Sequence, residues 1–207
     1  MGELRVTGGV LKGRKILVPA HGEARYTSSK ARAAIFNLIG EVANYDVLDL
    51  FAGSGSLSVE ALSRGARHAV CVEKSRRMAE MLKENLRRLG LDKDCVVLNM
   101  DVIYALPALS RRGDTYDLIL MDPPYDMGYV LATLDLLRKQ TVCRDGSLLV
   151  LEHSKRERLP GFVDPGSVRS RFYGDPAVSL VTCANLPSSG DRGGSEEPHP
   201  HAGTRAY

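Results

Sequence analysis

The chain has 207 residues, of which 43% are hydrophobic and 26% charged, and it carries a net charge of +3. These values are typical of one globular domain with a sizeable core, and no apolar run reaches the roughly 18 residues of a membrane span. The N-terminus lacks a signal-peptide pattern, and the four cysteines are far apart with no zinc-ligand spacing. Composition therefore indicates reduced thiols, no metal site, no membrane span and a cytoplasmic location.

Positive charge is concentrated at the start of the chain. Residues 1–32 contain seven Lys or Arg and two Glu, so this segment is +5 and the remainder is −2. A local basic excess on a nearly neutral protein indicates a docking surface for nucleic-acid phosphates, whereas the alternative is an ordinary solvated hairpin. The candidate RNA-binding residues are Arg5, Lys12, Arg14, Lys15, Arg25 and Arg32.

Two β-prone runs within residues 4–18, interrupted by Gly8-Gly9 and Gly13, predict a small N-terminal hairpin. A loop follows to Thr27, and Ser28 or Ser29 can cap the next helix. The apolar residues of that helix share the spacing of one helical face. They are Ala31, Ala34, Ile35, Leu38, Ile39 and Val42.

From residue 46 onward, strand and helix patterns alternate, which predicts an α/β fold with a parallel sheet and helices on both faces. The expected strands are residues 46–50, 68–73, 94–99, 116–121 and 146–151, and the expected helices are about 57–64, 75–89, 101–110 and 128–139. Ser75 is a suitable N-cap and Gly90 a suitable C-terminal stop for the second of these helices. Two further β-prone runs, 167–173 and 177–183, predict an antiparallel hairpin at the sheet edge because the gap between them is short.

The last 24 residues are rich in Gly, Pro, Ser and His and contain almost no aliphatic side chains. Such a segment cannot bury enough apolar surface to fold, so we expect a disordered tail. The predicted organisation is a basic hairpin and loop at 1–27, the main domain at 28–183 and the tail at 184–207.

The apolar run at 116–121 ends abruptly in Asp122-Pro123-Pro124-Tyr125. Proline has no amide hydrogen and a fixed φ, so this corner is rigid and offers acceptors without backbone donors. A carboxylate, a carbonyl and an aromatic ring suit a planar group with an exocyclic amine, such as a nucleobase. The alternative interpretation is a strand that ends in a Pro-Pro turn with a capping Asp.

A glycine-rich loop, Phe51-Ala52-Gly53-Ser54-Gly55, joins the first strand of the alternating region to a helix. Ser58 stands where the dinucleotide fingerprint needs a third glycine, and there is no P-loop lysine, so NAD and ATP are disfavoured. Acidic residues follow or end three successive strands, at Asp49, Glu73 and Asp101. Together they would repel a pyrophosphate and tolerate a cationic, ribose-bearing cofactor such as S-adenosylmethionine, although each alone could be a helix cap.

With these motifs, residues 4–183 resemble the RsmD-type 16S rRNA guanine-N2 methyltransferases. The resemblance depends on the hairpin glycines, on Arg25-x-Thr27 with Arg32 and Phe36-Asn37, on the glycine loop and on the Asp-Pro-Pro-Tyr corner. It implies a Rossmann-like class I methyltransferase fold with a seven-stranded mixed sheet plus the N-terminal hairpin. It also implies methyl transfer from S-adenosylmethionine to a guanine N2 amine in 16S rRNA.

The resemblance assigns roles to the site residues as well. Asp49, Gly53 and Gly55 would border the methionine part of the cofactor, Glu73 its ribose and Asp101 its adenine, and Phe51 belongs to the same cofactor-binding set. Asp122 and Pro123 would hold the target amine, with Tyr125 against the base. In this catalytic set Asp122 is also a candidate proton acceptor.

The chain departs from the family pattern at Tyr26, Ser29 and Ala33, where Pro, Asp and Glu are usual. These changes leave the predicted catalytic residues in place and leave the target nucleotide open. The expected partner is ribosomal RNA or a small-subunit assembly particle, bound by a monomer. The alternatives are methylation of a DNA or protein amino group, and a non-catalytic RNA-binding assembly factor.

Overall fold

The computed structural model describes residues 1–20 and 27–186, so the predicted RNA contact Arg25 and the part of the predicted tail after residue 186 lie outside the described residues. A two-stranded antiparallel hairpin opens the chain, with β1 at Gly2–Arg5 and β2 at Lys15–Val18. The predicted N-terminal hairpin is therefore confirmed, and it forms a sheet separate from the main one.

The main sheet has seven strands in the order β5-β4-β3-β6-β7-β9-β8. Their bounds are β3 Asp46–Asp49, β4 His68–Val72, β5 Cys95–Leu98, β6 Tyr116–Met121, β7 Cys143–Ser154, β8 Arg169–Phe172 and β9 Pro176–Thr182. Strands β3 to β7 pair in parallel, whereas β9 is antiparallel to both β7 and β8. The prediction of a mixed seven-stranded sheet that ends in an antiparallel hairpin is confirmed.

Five α-helices connect the strands within the described residues. They are α1 Ser29–Ile39, α2 Ser56–Ser63, α3 Arg76–Leu89, α4 Val102–Arg111 and α5 Tyr129–Leu137. The Ser28 side chain accepts a hydrogen bond from the Ala31 amide, and Ser75 caps α3 by accepting one from Met78. Gly90 ends α3 in the left-handed conformation, as predicted. No helix in the described ranges is long and apolar enough to cross a bilayer.

Two apolar clusters cover the two faces of the sheet. One contains Phe36 of α1, Leu57 of α2 and Leu82 of α3, packed on strand residues such as Leu120. The other contains residues of α4 and α5, including Leu106 and Leu134. Because side chains alternate between faces along a strand, the central strands β3, β6 and β7 contribute to both clusters. The predicted packing of helices on both faces is thus confirmed.

The N-terminal hairpin shares its core with the main sheet, because Val6 and Ile16 belong to the first of these clusters. A buried carboxylate, Glu60 of α2, fixes the connection. It accepts hydrogen bonds from the Thr7 amide at 2.8 Å and hydroxyl at 2.7 Å, and it forms an ion pair with Arg64 at 2.9 Å.

Arg32 also belongs to this network, and its predicted contact with RNA is wrong as a surface interaction. Its side chain is 0% exposed, and its Nε donates to Glu60 at 3.1 Å. The other guanidinium nitrogens donate to the backbone carbonyls of Thr27 and Arg5. A buried charge must be paired and hydrogen-bonded, and all of these partners are internal. Arg32 therefore joins α1 to the hairpin and to α2.

Candidate active site

The carboxyl ends of β3, β4, β5 and β6 meet at one edge of the sheet and surround a cavity of about 720 Å³. This size is within the range of small-molecule sites, and open α/β sheets bind ligands at this edge. Seven of the predicted catalytic and cofactor-binding residues line the cavity together: Phe51, Gly53, Glu73, Asp101, Asp122, Pro123 and Tyr125. The cofactor loop and the Asp-Pro-Pro-Tyr corner therefore share one space.

The two glycines of the loop have different structural roles. Both have positive φ, +53° at Gly53 and +83° at Gly55, which favours glycine. A Cβ on Gly55 would lie 2.0 Å from Leu82 Cδ1 of α3, whereas one on Gly53 would meet only Met78 Cε at 4.0 Å. Gly53 lines the cavity, and Gly55 does not, because it faces the helix behind the loop. Gly55 therefore packs closely on α3, and its contact with the cofactor stays a prediction.

Glu73 holds the loop in place. One carboxylate oxygen accepts a hydrogen bond from the Gly53 amide at 2.8 Å, and the other accepts one from the Ser75 amide at 2.6 Å. A carboxylate has about four acceptor positions, so each oxygen keeps capacity for a ligand hydroxyl. The position suits the predicted ribose contact and adds a structural role that the sequence did not indicate.

Asp101 lies on the next strand end and caps α4 by accepting a hydrogen bond from the Ile103 amide. Its second carboxylate oxygen pairs with Lys74 Nζ at 2.7 Å. The hydrogen bond from Lys74 keeps the pKa of Asp101 below its ordinary value, so this carboxylate is an ionised acceptor at neutral pH. Lys74 also lines the cavity and was not predicted as a site residue.

Asp49 does not line the cavity, contrary to prediction. Side chains alternate along β3, so Leu48 faces one cluster while Asp49 points to the opposite face, towards α2. Asp49 is fully buried, and it accepts a hydrogen bond from the Ser58 hydroxyl at 2.6 Å. Burial raises its pKa to about 6, although the Ser58 hydrogen bond opposes the shift. Asp49 therefore holds the first turn of α2 on the sheet through its hydrogen bond with Ser58.

Asp122 is held by a hydroxyl from the N-terminal part of the chain. Thr27 Oγ1 donates to Asp122 Oδ2 at 2.7 Å, and the Thr27 carbonyl accepts a hydrogen bond from Arg32 at 3.3 Å. A chain of contacts thus runs from Glu60 through Arg32 and Thr27 to Asp122. Thr27 belongs to the Arg-x-Thr segment noted in the sequence, but its contact across 95 residues could not be read there.

Tyr125 is oriented by a second carboxylate that sequence reasoning missed. Its hydroxyl donates to Glu152 Oε1 at 2.8 Å, and Glu152 is only 5% exposed. Glu152 Oε2 is buried without a hydrogen-bond partner in the described part of the chain. The predicted strand 146–151 ends one residue before Glu152, whereas β7 continues to Ser154. An acid at the end of an apolar run was the available signal.

Part of the cavity lining is apolar or aromatic. Phe51 and Tyr129 pack edge to face with ring centroids 5.8 Å apart, and Met78 and Met100 complete this part of the lining. Aromatic and thioether groups provide a surface on which a flat ring can pack. Tyr129, in the first turn of α5, had not been predicted as part of the site.

The predicted basic residues of the hairpin are exposed: Arg5, Lys12, Arg14 and Lys15. Lys15 pairs with Glu3 at 2.8 Å, and Arg5 donates to the Gly13 carbonyl at 2.8 Å. The hairpin packs on α2 and α3 through backbone contacts of Val10 with Ser63 and of Leu17 with Asn85. This basic surface therefore lies on the side of the sheet that carries α2 and α3.

Comparisons with known proteins give a family model and several relatives of this chain. A family model described as conserved hypothetical protein 95 matches residues 4–182. "Putative rRNA methyltransferase YlbH" of Bacillus subtilis is 35% identical, with 86% of this chain and 97% of the relative covered. Ribosomal RNA small subunit methyltransferase D of Escherichia coli K12 is 33% identical over 77% of this chain and 79% of its own length. A solved structure of a hypothetical protein from Thermus thermophilus superimposes with a TM-score of 0.74 at 33% identity, covering 86% of this chain and 99% of that one.

Proposed function

The chain belongs to the conserved hypothetical protein 95 family, together with the ribosomal RNA small subunit methyltransferase D proteins, and we propose that it methylates small-subunit ribosomal RNA. The methyl donor is S-adenosylmethionine, and the acceptor is the exocyclic N2 amine of a guanine. The observation that carries this proposal is the shared cavity, in which Asp122 and Pro123 face the same space as Gly53 and Glu73.

The residues of the cavity fit the cofactor. Glu73 and Asp101 offer carboxyl oxygens as acceptors beyond successive strands, suited to ribose hydroxyls and an adenine amine, and Gly53 permits a close backbone approach. The carboxylates also favour a cation over a pyrophosphate. When bound, S-adenosylmethionine supplies an electrophilic methyl group on its sulfonium.

The Asp-Pro-Pro-Tyr corner addresses the main chemical difficulty, which is that a base amine is a poor nucleophile because its lone pair is delocalised into the ring. Asp122 and the Pro123 carbonyl accept hydrogen bonds from the amine and so orient its lone pair towards the cavity. The Asp122 carboxylate also offsets the positive charge that develops on the nitrogen. The hydroxyl of Thr27 occupies one position on Asp122 and fixes its orientation.

Tyr125 provides the flat surface for the base. A guanine must leave its stack to reach Asp122, and stacking on an aromatic ring offsets part of that cost. The hydrogen bond to Glu152 orients the Tyr125 side chain, which lines the cavity. Asp122 can accept the amine proton after transfer, because no other carboxylate lines the cavity at the end of β6 among the described residues.

We propose that the enzyme works as a monomer in the cytoplasm, on free rRNA or on an assembling particle. The test uses the full chain, labelled S-adenosylmethionine and small-subunit rRNA from cells that lack the enzyme, as free RNA and as particles. Label should enter RNA at one guanine and be recovered as N2-methylguanine after digestion. Label in protein or DNA only, or cofactor binding without transfer to any RNA, would contradict the proposal.

A further inference from the structure

The sheet edge on the far side of Asp122 carries exposed cations and aromatic rings that the proposed reaction has not used. We name this the edge surface. It consists of Arg156, Arg158, Arg169, Arg171, Phe172 and Tyr173. All six side chains are exposed, and Phe172 is 66% exposed although it is one of the largest apolar side chains.

The arginines of this surface contribute little to the fold: in the described residues their one side-chain hydrogen bond is local, from Arg171 to the Ser170 carbonyl at 3.2 Å. Within residues 1–20 and 27–186, none of the four takes part in an ion pair. In contrast, the neighbouring Lys155 pairs with Asp175 at 3.0 Å and is therefore left out of the surface. Exposed guanidinium groups that form no ion pair, beside exposed rings, are the combination that binds single-stranded nucleic acid.

The strand register places this surface in line with the catalytic corner. Arg171 is paired with Val178 of β9, and Val178 is paired with Glu152 of β7. Directly paired residues share a face of the sheet, so Arg171 and Glu152 point to the same side. Asp122 follows Met121, which pairs with Leu151, and so continues the same row. Three strand spacings separate β8 from β6, which is roughly 14 Å.

The remaining members lie at the same end of the sheet. Arg156 and Arg158 follow β7 immediately, and Tyr173 follows β8, so both segments leave the sheet near the edge where Asp122 lies. The hairpin lies on the opposite side of Asp122 along the strand order, against α2 and α3. Asp122 is therefore located between two basic surfaces, with the cofactor cavity beside it.

We infer that the edge surface binds the RNA strand next to the target guanine, with arginines on phosphates and Tyr173 stacked on a flanking base. Tyr173 lies two residues after Arg171 and therefore on the same side of the sheet. This inference rests on the proposed function, because a flipped base needs its neighbouring nucleotides held on either side. An acidic protein segment could use the arginines, but it would leave two adjacent aromatic rings exposed to water.

The test compares two charge-matched double variants of the full chain. Arg169→Gln with Arg171→Gln removes two charges from the edge surface. Lys93→Gln with Arg111→Gln removes two exposed charges outside it, one just before β5 and one at the end of α4. Binding of a small-subunit rRNA fragment is measured as a function of salt, together with KM for that RNA and cofactor affinity. If both arginines contact phosphates, the first variant should lower the slope of log affinity against log salt by about 1.4, because each contact contributes about 0.7 on single strands.

The first variant should also raise KM for RNA about fivefold or more, while cofactor affinity stays at the wild-type value and the control variant behaves as wild type. Tyr173→Ser should weaken RNA binding about fivefold or more, in the range of one lost base stack, without changing the salt slope. Wild-type methylation of RNA with an unchanged slope and KM in both edge variants would overturn this inference and leave the proposed function intact. Normal activity on free RNA with loss only on particles would indicate a ribosomal protein partner, and would equally overturn it. If the wild-type protein methylates no RNA, the proposed function is overturned, and the inference that rests on it is overturned as well.

Discussion

Replacing Arg32 with Met tests whether the buried network connects the N-terminal segment to the catalytic carboxylate. The variant keeps an apolar chain of similar length but removes the ion pair with Glu60 and the hydrogen bond to the Thr27 carbonyl. Breaking a buried pair by removing one partner costs about 3–5 kcal/mol. Glu60 retains two bonds from Thr7 and one from Arg64, so we expect the lower end, about 3 kcal/mol. In a domain of this size that corresponds to a fall of roughly 6–12 °C in Tm.

The assay combines thermal unfolding with steady-state methylation. Below the unfolding transition, Arg32→Met should lower kcat because Thr27 no longer holds Asp122, while the affinity for the cofactor changes little. Lys30→Met is the control, since Lys30 is an exposed cation on the same helix and should change stability by less than about 0.5 kcal/mol. A Tm and a kcat equal to those of Lys30→Met would refute the structural role assigned to Arg32.

Three further predictions concern single residues of the site. Asp49→Asn should be more stable than the wild type at neutral pH. Burial raises the pKa of Asp49 in the folded state from 3.8 to about 6, so ionisation lowers the stability of the wild type as pH rises through this window, by at most about 3 kcal/mol. The difference in Tm between the two proteins should therefore be absent below pH 4 and grow between pH 4 and pH 6. Tyr125→Phe should destabilise the protein by about 1–3 kcal/mol, because it leaves the buried Glu152 carboxyl group unpaired. Adding Glu152→Gln to this variant should recover part of the loss, measured by thermal unfolding. If the losses of the two single variants simply add in the double variant, the contact is contradicted. Gly55→Ala should lower Tm far more than Gly53→Ala, because only the Gly55 variant places a Cβ 2.0 Å from a neighbouring side chain. Gly53→Ala should mainly weaken cofactor binding, measured by calorimetry. Equal Tm shifts in the two variants would be inconsistent with the loop geometry.

Much of the fold could be predicted because its determinants are local. The alternation of apolar strands with amphipathic helices fixes a parallel sheet, and the caps at Ser75 and Gly90 follow from backbone chemistry within one turn. The short gap between the last two strands allowed only a hairpin. The position of the cavity could also be predicted, because Glu73 and Asp101 both follow strands of a parallel sheet.

The wrong or missing site residues depend on contacts between distant parts of the chain. Arg32 looked like one more surface cation, and only the presence of Glu60, 28 residues later, makes its burial possible. Asp49 was assigned to the cavity by its place at a strand end, but the alternation of side chains in that strand directs it to the opposite face. The role of Glu152 was missed because β7 extends further than predicted, and the boundaries of strands are the least predictable feature of a sequence.

The most direct test of the central claim is methyl transfer by Asp122→Ala, with cofactor affinity measured separately on the same preparation. If Asp122 orients the amine and balances its developing charge, kcat should fall by about 10²–10³ or more, comparable with the loss of one preorganised electrostatic contact. Cofactor affinity should stay near the wild-type value, and Asp92→Ala, at an exposed turn before β5, should retain full activity. Methylation of rRNA at the wild-type rate by Asp122→Ala would contradict the role given to the Asp-Pro-Pro-Tyr corner.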